Sequence, residues 1–192
     1  MINIETWFPT YIGQEIISDN KKIEKKLTPI CKKIQKQNPI IKNGWVSKLY
    51  NTCHSYNICK DKNFNIINNI IYQKTHEYLR ALGSTQVINT AEGWFNIYKK
   101  YDFQEFHCHP AKMISVIYIL KSSEKDPLII FEKDQGLYNM ESEVKSNLIN
   151  FKINYKSIQG NLIIFRSSLH HCVEMQKHDK ERISLAYNFT LK

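Results

Sequence analysis

Hydrophobic positions in the first part of the chain recur at helical spacing. Asp19 or Asn20 could cap a first helix, and the apolar stripe that predicts it is Ile23, Leu27, Ile30 and Ile34. Pro29 interrupts this stripe, so Thr28 and Pro29 could instead begin a second helix. A clearer helix is predicted over about 63–82, with Gly83 as its stop. The apolar face of that helix comprises Ile67, Ile70, Ile71, Tyr78, Leu79 and Leu82.

After Gly83 the pattern changes to short runs of β-branched and aromatic residues, several of them bounded by turn residues. These runs predict strands over 94–101, 113–120, 127–132, 161–165 and 183–191. Many short strands preceded by two helices predict a mainly β (α+β) fold, a double-stranded β-helix of the jelly-roll or cupin-like kind. An immunoglobulin-like sandwich is the alternative, but that fold needs no histidine cluster in its turns.

Length and composition indicate one packed domain. The 192 residues favour a single core, and 42% of them are hydrophobic. We expect residues 1–90 to supply helical support and an N-terminal strand, and residues 91–192 to form the jelly-roll core. No apolar run approaches the ~18–20 residues that cross a bilayer. The N-terminus does not resemble a secretory signal, which favours a cytoplasmic location.

Cysteine usage also fits a reducing compartment. The five cysteines are odd in number and irregularly spaced, and none forms a CxxC pair. A disulfide framework is therefore not expected.

The formal charge of +9 raises the question of an anionic partner such as nucleic acid. The cations are 24 lysines and only three arginines. Base and phosphate recognition favours arginine, and lysine abundance follows from A/T-rich codons. Nucleic-acid binding is thus possible but not favoured by the sequence.

The candidate chemistry lies in two histidine pairs among the seven histidines. His107 and His109 are two residues apart, so in an extended segment they project from the same face and could chelate one metal ion. A third ligand could be His171, which lies 64 residues downstream, or its neighbour His170. Glu105 has the same strand parity as the first pair and is a competing ligand.

A second feature lies eleven residues after His171. Arg182 stands in a largely apolar predicted strand, where a buried cation needs an anion to neutralise it. Ser184 shares its face of the strand. A guanidinium fork with a neighbouring hydroxyl suits the distal carboxylate of a dicarboxylic acid.

Several motifs occur in one order along the chain. Trp94 and Asn96 form W-x-N, and His107, His109 and Pro110 form H-x-H-P. Further matches are Ser115, Tyr118, Gly160, Leu162, Phe165, Ser167 or Ser168, His171, Val173, Glu181 to Ser184, and Asn188. In this combination, residues 94–190 resemble the 2-oxoglutarate/Fe(II)-dependent oxygenases, and most of all a small branch common in marine phages and bacteria.

The resemblance implies an enzyme that uses Fe(II), 2-oxoglutarate and O2, with ascorbate as a possible reductant. It would couple decarboxylation of 2-oxoglutarate to succinate and CO2 with oxidation, such as hydroxylation, of an unidentified substrate. That substrate could be a protein side chain, a nucleobase or a small metabolite, in a bacterial or phage-infected cell. Arg182 and Ser184 would bind the cosubstrate, assisted by Asn96, Tyr98 and Tyr118. The oligomeric state is left open.

The usual triad of this superfamily is two histidines and a carboxylate, whereas the second position here is His109. A cupin-like metal protein that does not use 2-oxoglutarate would also accommodate the histidines, but it leaves Arg182 and Ser184 without a role. A non-catalytic module would be marked by a missing ligand, and none is missing. The loop over 133–148 is expected to shape the substrate entrance.

Overall fold

The computed structural model describes residues 2–3, 9–39, 46–133 and 152–192. It contains two α-helices, α1 (Asn20–Gln37) and α2 (Asn65–Ala81). The strands of the described residues are β1 (Ile12–Ile16), β2 (Tyr50–Asn51), β3 (Ile88–Tyr98), β4 (Gln104–His107), β5 (Ile114–Lys121), β6 (Ile129–Glu132), β7 (Lys152–Tyr155), β8 (Asn161–Arg166), β9 (His170–Val173) and β10 (Arg182–Leu191).

The strands form two antiparallel sheets that face each other. The larger sheet has the order β1-β8-β5-β10-β3-β2, and the smaller sheet has the order β4-β9-β6-β7. Neighbours in space are mostly distant in sequence, as in a jelly roll. The predicted mainly β fold with N-terminal helices is therefore confirmed.

Two apolar clusters show how the layers stack. The first joins both helices to one face of the larger sheet and includes Leu27, Ile71 and Leu185. The second lies between the two sheets and includes Phe131 and Phe165. The polar side chains considered below enter this second layer. No helix among the described residues is long and apolar enough to cross a membrane.

Helix α1 corrects one expectation from the sequence. The helix runs unbroken through Pro29, so the second helix predicted to begin at Thr28 does not exist. A proline inside a helix costs about 3 kcal/mol, because it lacks an N–H group and crowds the preceding turn. Burial of the apolar stripe against the sheet offsets that cost. The buried residues of this stripe are Ile23, Leu27, Cys31 and Ile34.

Helix α2 follows the prediction more closely. Two short 3-10 turns, Ile58–Lys60 and Lys62–Phe64, lead into it. Gly83 takes a positive φ of 76° just after its end, which is the left-handed conformation that stops a helix. Leu82 was assigned to the apolar face of this helix, but it lies beyond the last helical residue and is 36% exposed.

The five predicted strands all occur, with ends that shift by up to six residues. The sequence pattern gave no bounds for β1, β2, β4, β7 or β9, which are each five residues or shorter, although an N-terminal strand was expected within residues 1–90. Two of these short strands, β4 and β9, carry the histidines.

Candidate metal and cosubstrate site

The structure brings three histidines together between the two sheets. β4 and β9 pair side by side, with His107 directly opposite His171. His109 follows β4 and is held by its backbone N–H, which donates to the Ser167 carbonyl at 2.8 Å. One ligand atom from each of the three imidazoles lies within 4.8 Å of the others. His170 is exposed and projects from the other face of β9.

A β-bulge in β4 decides which side chains join them. Gln104 pairs with Val173 and His107 with His171, so three steps along β4 match two steps along β9. The extra residue breaks the parity that had made Glu105 a competing ligand. The Glu105 carboxylate instead accepts the Val46 backbone N–H at 2.7 Å and lies outside the histidine group.

Two of the imidazoles have a defined hydrogen-bonding pattern. His107 Nδ1 lies 2.8 Å from the Glu105 carbonyl, and His171 Nδ1 lies 2.9 Å from the Leu169 carbonyl. A carbonyl only accepts, so each ring donates through Nδ1–H and keeps a lone pair on Nε2. This is the tautomer that a metal-ligating histidine needs.

Burial keeps the rings neutral. Desolvation lowers the pKa of His109 to about 4, with a smaller contribution from His107. Burial also lowers the pKa of His107 and puts that of His171 well below its ordinary value. Three neutral nitrogens that converge on one point form a donor set that suits a first-row metal ion.

Arg182 lies deeper in the same cavity, which we call the inner cavity and which is lined by the three histidines, Arg182 and Ser184 among others. Its side chain is 0% exposed. None of its three guanidinium nitrogens has a hydrogen-bond partner among the described residues. Its contact is with the Tyr98 ring, whose centroid lies 4.6 Å from the guanidinium carbon. A buried cation without a counterion indicates a site for an anion.

The residues around Arg182 come from two paired strands. Arg182 lies opposite Tyr98, and Ser184 lies opposite Asn96, so all four share one face of the sheet. All four line the inner cavity. Asn96 Nδ2 donates to Ser184 Oγ at 3.3 Å, and the Tyr98 hydroxyl donates to Gln104 Oε1 at 2.7 Å. Gln104 was not anticipated, because the bulge that turns it inward has no signature in the sequence.

Tyr118 was predicted as a cosubstrate contact, but the structure places it outside this group. It lies in the cluster between the sheet and the helices, with its hydroxyl buried and unpaired within the described part of the chain. The reason is strand alternation on β5. Ser115 lines the inner cavity, so Tyr118, three residues later, points to the opposite face.

A second cavity of about 330 Å³ adjoins the first on the side of His107 and His109, and we call it the outer groove. Its wall includes Trp94, Lys112 and Asn188, of which Trp94 and Asn188 also line the inner cavity. The loop over 133–148, which was expected to shape the entrance, lies outside the described residues except for Lys133.

The fold and the site together define a class: a jelly-roll protein with three histidines that could hold a metal ion, beside a buried arginine that has no counterion among the described residues. A family model described as "Putative 2OG-Fe(II) oxygenase" matches residues 92–188, just over half of the chain. The chain therefore belongs to the 2OG-Fe(II) oxygenase family. It is an enzyme of the 2-oxoglutarate-dependent dioxygenase type that uses Fe(II), 2-oxoglutarate and O2.

Solved structures show the same fold at low sequence identity. A prolyl-4-hydroxylase from Pseudomonas putida is 14% identical with a TM-score of 0.68, covering 94% of this chain and 93% of that one. A prolyl hydroxylase from Trichoplax adhaerens, in complex with a hypoxia inducible factor peptide fragment, is 9% identical with a TM-score of 0.60 over 93% of this chain and 83% of that one.

The protein HygX from Streptomyces hygroscopicus, solved with nickel and 2-oxoglutarate bound, is 9% identical with a TM-score of 0.60, covering 94% and 82% of the two chains. No curated protein sequence matches the chain.

Proposed function

We propose that His107, His109 and His171 hold one Fe(II) ion and that Arg182 anchors the distal carboxylate of 2-oxoglutarate. The observation that carries the proposal is the content of the inner cavity: three convergent neutral imidazoles and a fully buried guanidinium that has no counterion in the described part of the chain. The imidazoles suit a metal ion, and the guanidinium suits one carboxylate of a dicarboxylic acid.

The chain's own residues prepare this binding. Backbone carbonyls fix the Nδ1–H tautomers of His107 and His171, so neither ring has to reorient when a metal ion arrives. Ser184 and Asn96 offer further polar contacts next to Arg182, and Tyr98 covers the guanidinium with its ring. The bound iron and 2-oxoglutarate would supply the oxidising chemistry, and the buried walls would exclude water from it.

The cupin-like alternative without 2-oxoglutarate is less well supported. It explains the histidines, but it gives no ligand to Arg182, which is buried and has no partner among the residues that the structure describes. A non-catalytic module is disfavoured because all three metal-binding positions are filled by convergent histidines.

Metal binding is tested by a matched pair of histidine variants. His171→Ala should remove Fe(II) binding and 2-oxoglutarate turnover, whereas His170→Ala, one residue away and exposed, should retain both. Calorimetry with Fe(II) or Mn(II) under anaerobic conditions gives the affinity, and succinate release with ascorbate as reductant gives the turnover. Equal losses in the two variants would contradict the ligand assignment.

Some features of the wider setting are also proposals. We propose that residues 1–90 and 91–192 act as one oxygenase domain, which the shared helix–sheet cluster supports. All five cysteines are free, which favours a reducing compartment such as the cytoplasm. The substrate could be a protein side chain, a nucleobase or a small metabolite. We propose that it enters through the outer groove.

A further inference from the structure

Two residues that line both the inner cavity and the outer groove carry hydrogen-bond donors without partners among the described residues. Trp94 is 6% exposed, and its indole Nε1 is buried with no partner among the described residues. Its ring lies edge-on to His109, with the centroids 5.9 Å apart. Asn188 is 5% exposed, and its amide nitrogen donates to none of the groups the structure describes. Both residues line both cavities.

A buried hydroxyl chain fixes the direction of the Asn188 amide. Ser115 Oγ lies 2.7 Å from Asn188 Oδ1 and 2.9 Å from Ser167 Oγ. Each hydroxyl has one proton, and the amide oxygen only accepts. Ser115 shares its proton between Asn188 Oδ1 and Ser167 Oγ, so the oxygen of the Asn188 amide faces the two hydroxyls. The amide NH2 group of Asn188 is therefore directed away from the Ser115 and Ser167 hydroxyls.

The same hydroxyl chain connects to the metal-binding residues. Ser167 also accepts the backbone N–H of His109 through its carbonyl at 2.8 Å. Thus Ser115 links Asn188 to Ser167, which holds one of the three histidines, and the amide of Asn188 is connected to the proposed metal site.

The charges nearby select among possible ligands. Lys112 lines the outer groove, and its ammonium group is 2.9 Å from the Glu92 carboxylate, which neutralises it. Trp94 lies opposite Ala186 on β10. Arg182 lies on the same strand, four residues before Ala186, which is about 13 Å along the strand. Apart from Arg182, which the proposed function assigns to the cosubstrate, no unpaired Lys or Arg lines either cavity within the part of the chain that is described. Two neutral donors in such a place suit a neutral oxygen acceptor better than a carboxylate.

We infer that Asn188 and Trp94 bind a neutral carbonyl oxygen of the substrate, such as that of an amide, next to the metal. The inference rests on the proposed function, since it assigns the outer groove to the substrate and Arg182 to the cosubstrate. It makes Asn188 and Trp94 specificity-determining residues and Ser115 and Ser167 positioning residues.

The test uses N-methylacetamide as the probe and the full chain loaded with diamagnetic Zn(II) and 2-oxoglutarate. The chain has three tryptophans, so Trp94→Phe identifies the Trp94 indole resonance in a proton–nitrogen NMR spectrum. We expect N-methylacetamide to shift that resonance in a saturable way. Asn188→Asp should weaken this binding at least about tenfold, because a charged acceptor replaces the donor. Asn154→Asp makes the same change on exposed strand β7 and should leave it unaltered.

Three results would overturn the inference. The first is that acetate shifts the Trp94 indole resonance at lower concentration than N-methylacetamide does. That result would mean that the two donors bind an anion. The second is a tenfold loss of 2-oxoglutarate affinity in Asn188→Asp, which would assign Asn188 to the cosubstrate. The third is an indole resonance that N-methylacetamide does not move.

Two complications are controlled. If Asn188→Asp does not fold, Trp94→Phe serves in its place, with the Asn188 side-chain amide as the reporter and the same expected loss. If wild-type protein binds neither Zn(II) nor 2-oxoglutarate, the proposed function fails. The same titration on the unloaded protein then still decides whether the donor pair binds a carbonyl.

Discussion

At the scale of single residues, substitution of Arg182 should affect 2-oxoglutarate binding without affecting the stability of the fold. Its guanidinium is fully buried and has no acidic partner among the described residues, so its removal leaves no charge uncompensated. Arg182→Ala should weaken 2-oxoglutarate binding by about 30–1,000-fold, as expected for loss of a charge-assisted pair of ~2–4 kcal/mol. Arg182→Lys should restore only part of this affinity, because an ammonium group lacks the planar fork.

The control for this prediction is the melting temperature of the same unliganded protein. We expect Arg182→Ala to melt close to the wild type and to bind Mn(II) as tightly. A sharp fall in melting temperature with unchanged 2-oxoglutarate affinity would mean that Arg182 serves the fold.

The three histidines make stability depend on pH in a defined direction. Burial lowers the pKa of His109 to about 4 and lowers those of His107 and His171, whereas an unfolded chain titrates near 6.5. Between about pH 6.5 and about pH 4 the unfolded state therefore binds more protons than the folded state. The free energy of unfolding of the metal-free protein should fall as the pH falls through this window.

Metal affinity should depend on the same histidine protonation, because protons and metal ions compete for the imidazole nitrogens. Because the folded pKa values are depressed, proton competition begins at lower pH than for free imidazole, and Mn(II) binding should persist well below pH 6.5. Urea unfolding and calorimetry between pH 4 and pH 8 measure both effects. Complete loss of Mn(II) binding by pH 6.5 would contradict burial of neutral rings.

At the scale of elements, two glycines with similar backbone angles predict different costs of substitution. Gly160 (φ 83°) directly precedes β8, and an added Cβ would lie 2.5 Å from the Cβ of Asn20 on α1. Gly83 (φ 76°) ends α2, and an added Cβ would meet nothing within 4 Å. Both alanine variants strain the backbone by about 1–2 kcal/mol.

Only Gly160→Ala must also move α1 relative to the sheet. We expect it to be less stable than Gly83→Ala by at least about 1 kcal/mol, as for an overpacked contact. Chemical denaturation of both variants measures the difference. Equal destabilisation would mean that α1 is not tightly packed at the start of β8.

At the scale of the whole molecule, ligands of the inner cavity should stabilise the fold. A ligand that binds only the folded state at 100 times its dissociation constant adds about 2.7 kcal/mol. For a chain of this length that corresponds to about 5–10 °C in melting temperature. Mn(II) with 2-oxoglutarate should produce such a shift, and 2-oxoglutarate should add nothing further in Arg182→Ala. A 2-oxoglutarate increment that survives in Arg182→Ala would place the cosubstrate elsewhere.

The sequence by itself determined the class of fold and the residues that meet in the site. Helical spacing before Gly83 and β-branched runs after it arise because one face of each element is buried. This pattern can be recognised in a short stretch of sequence. The order of His107, His109, His171 and Arg182 likewise identified the family without knowledge of contacts. These features depend on residue type and local spacing, so the sequence alone specifies them.

Only the tertiary structure decided which neighbours share a face. Strand parity made Glu105 a competing metal ligand, but the bulge in β4 leaves it outside the histidine group and turns Gln104 into the inner cavity. Tyr118 matched a motif, yet the register of β5 directs it toward the helices. Helix α1 continues through Pro29 because its stripe is buried against the sheet. In each case a pairing or packing contact from a distant part of the chain outweighed the local preference, and such contacts exist only in the folded protein.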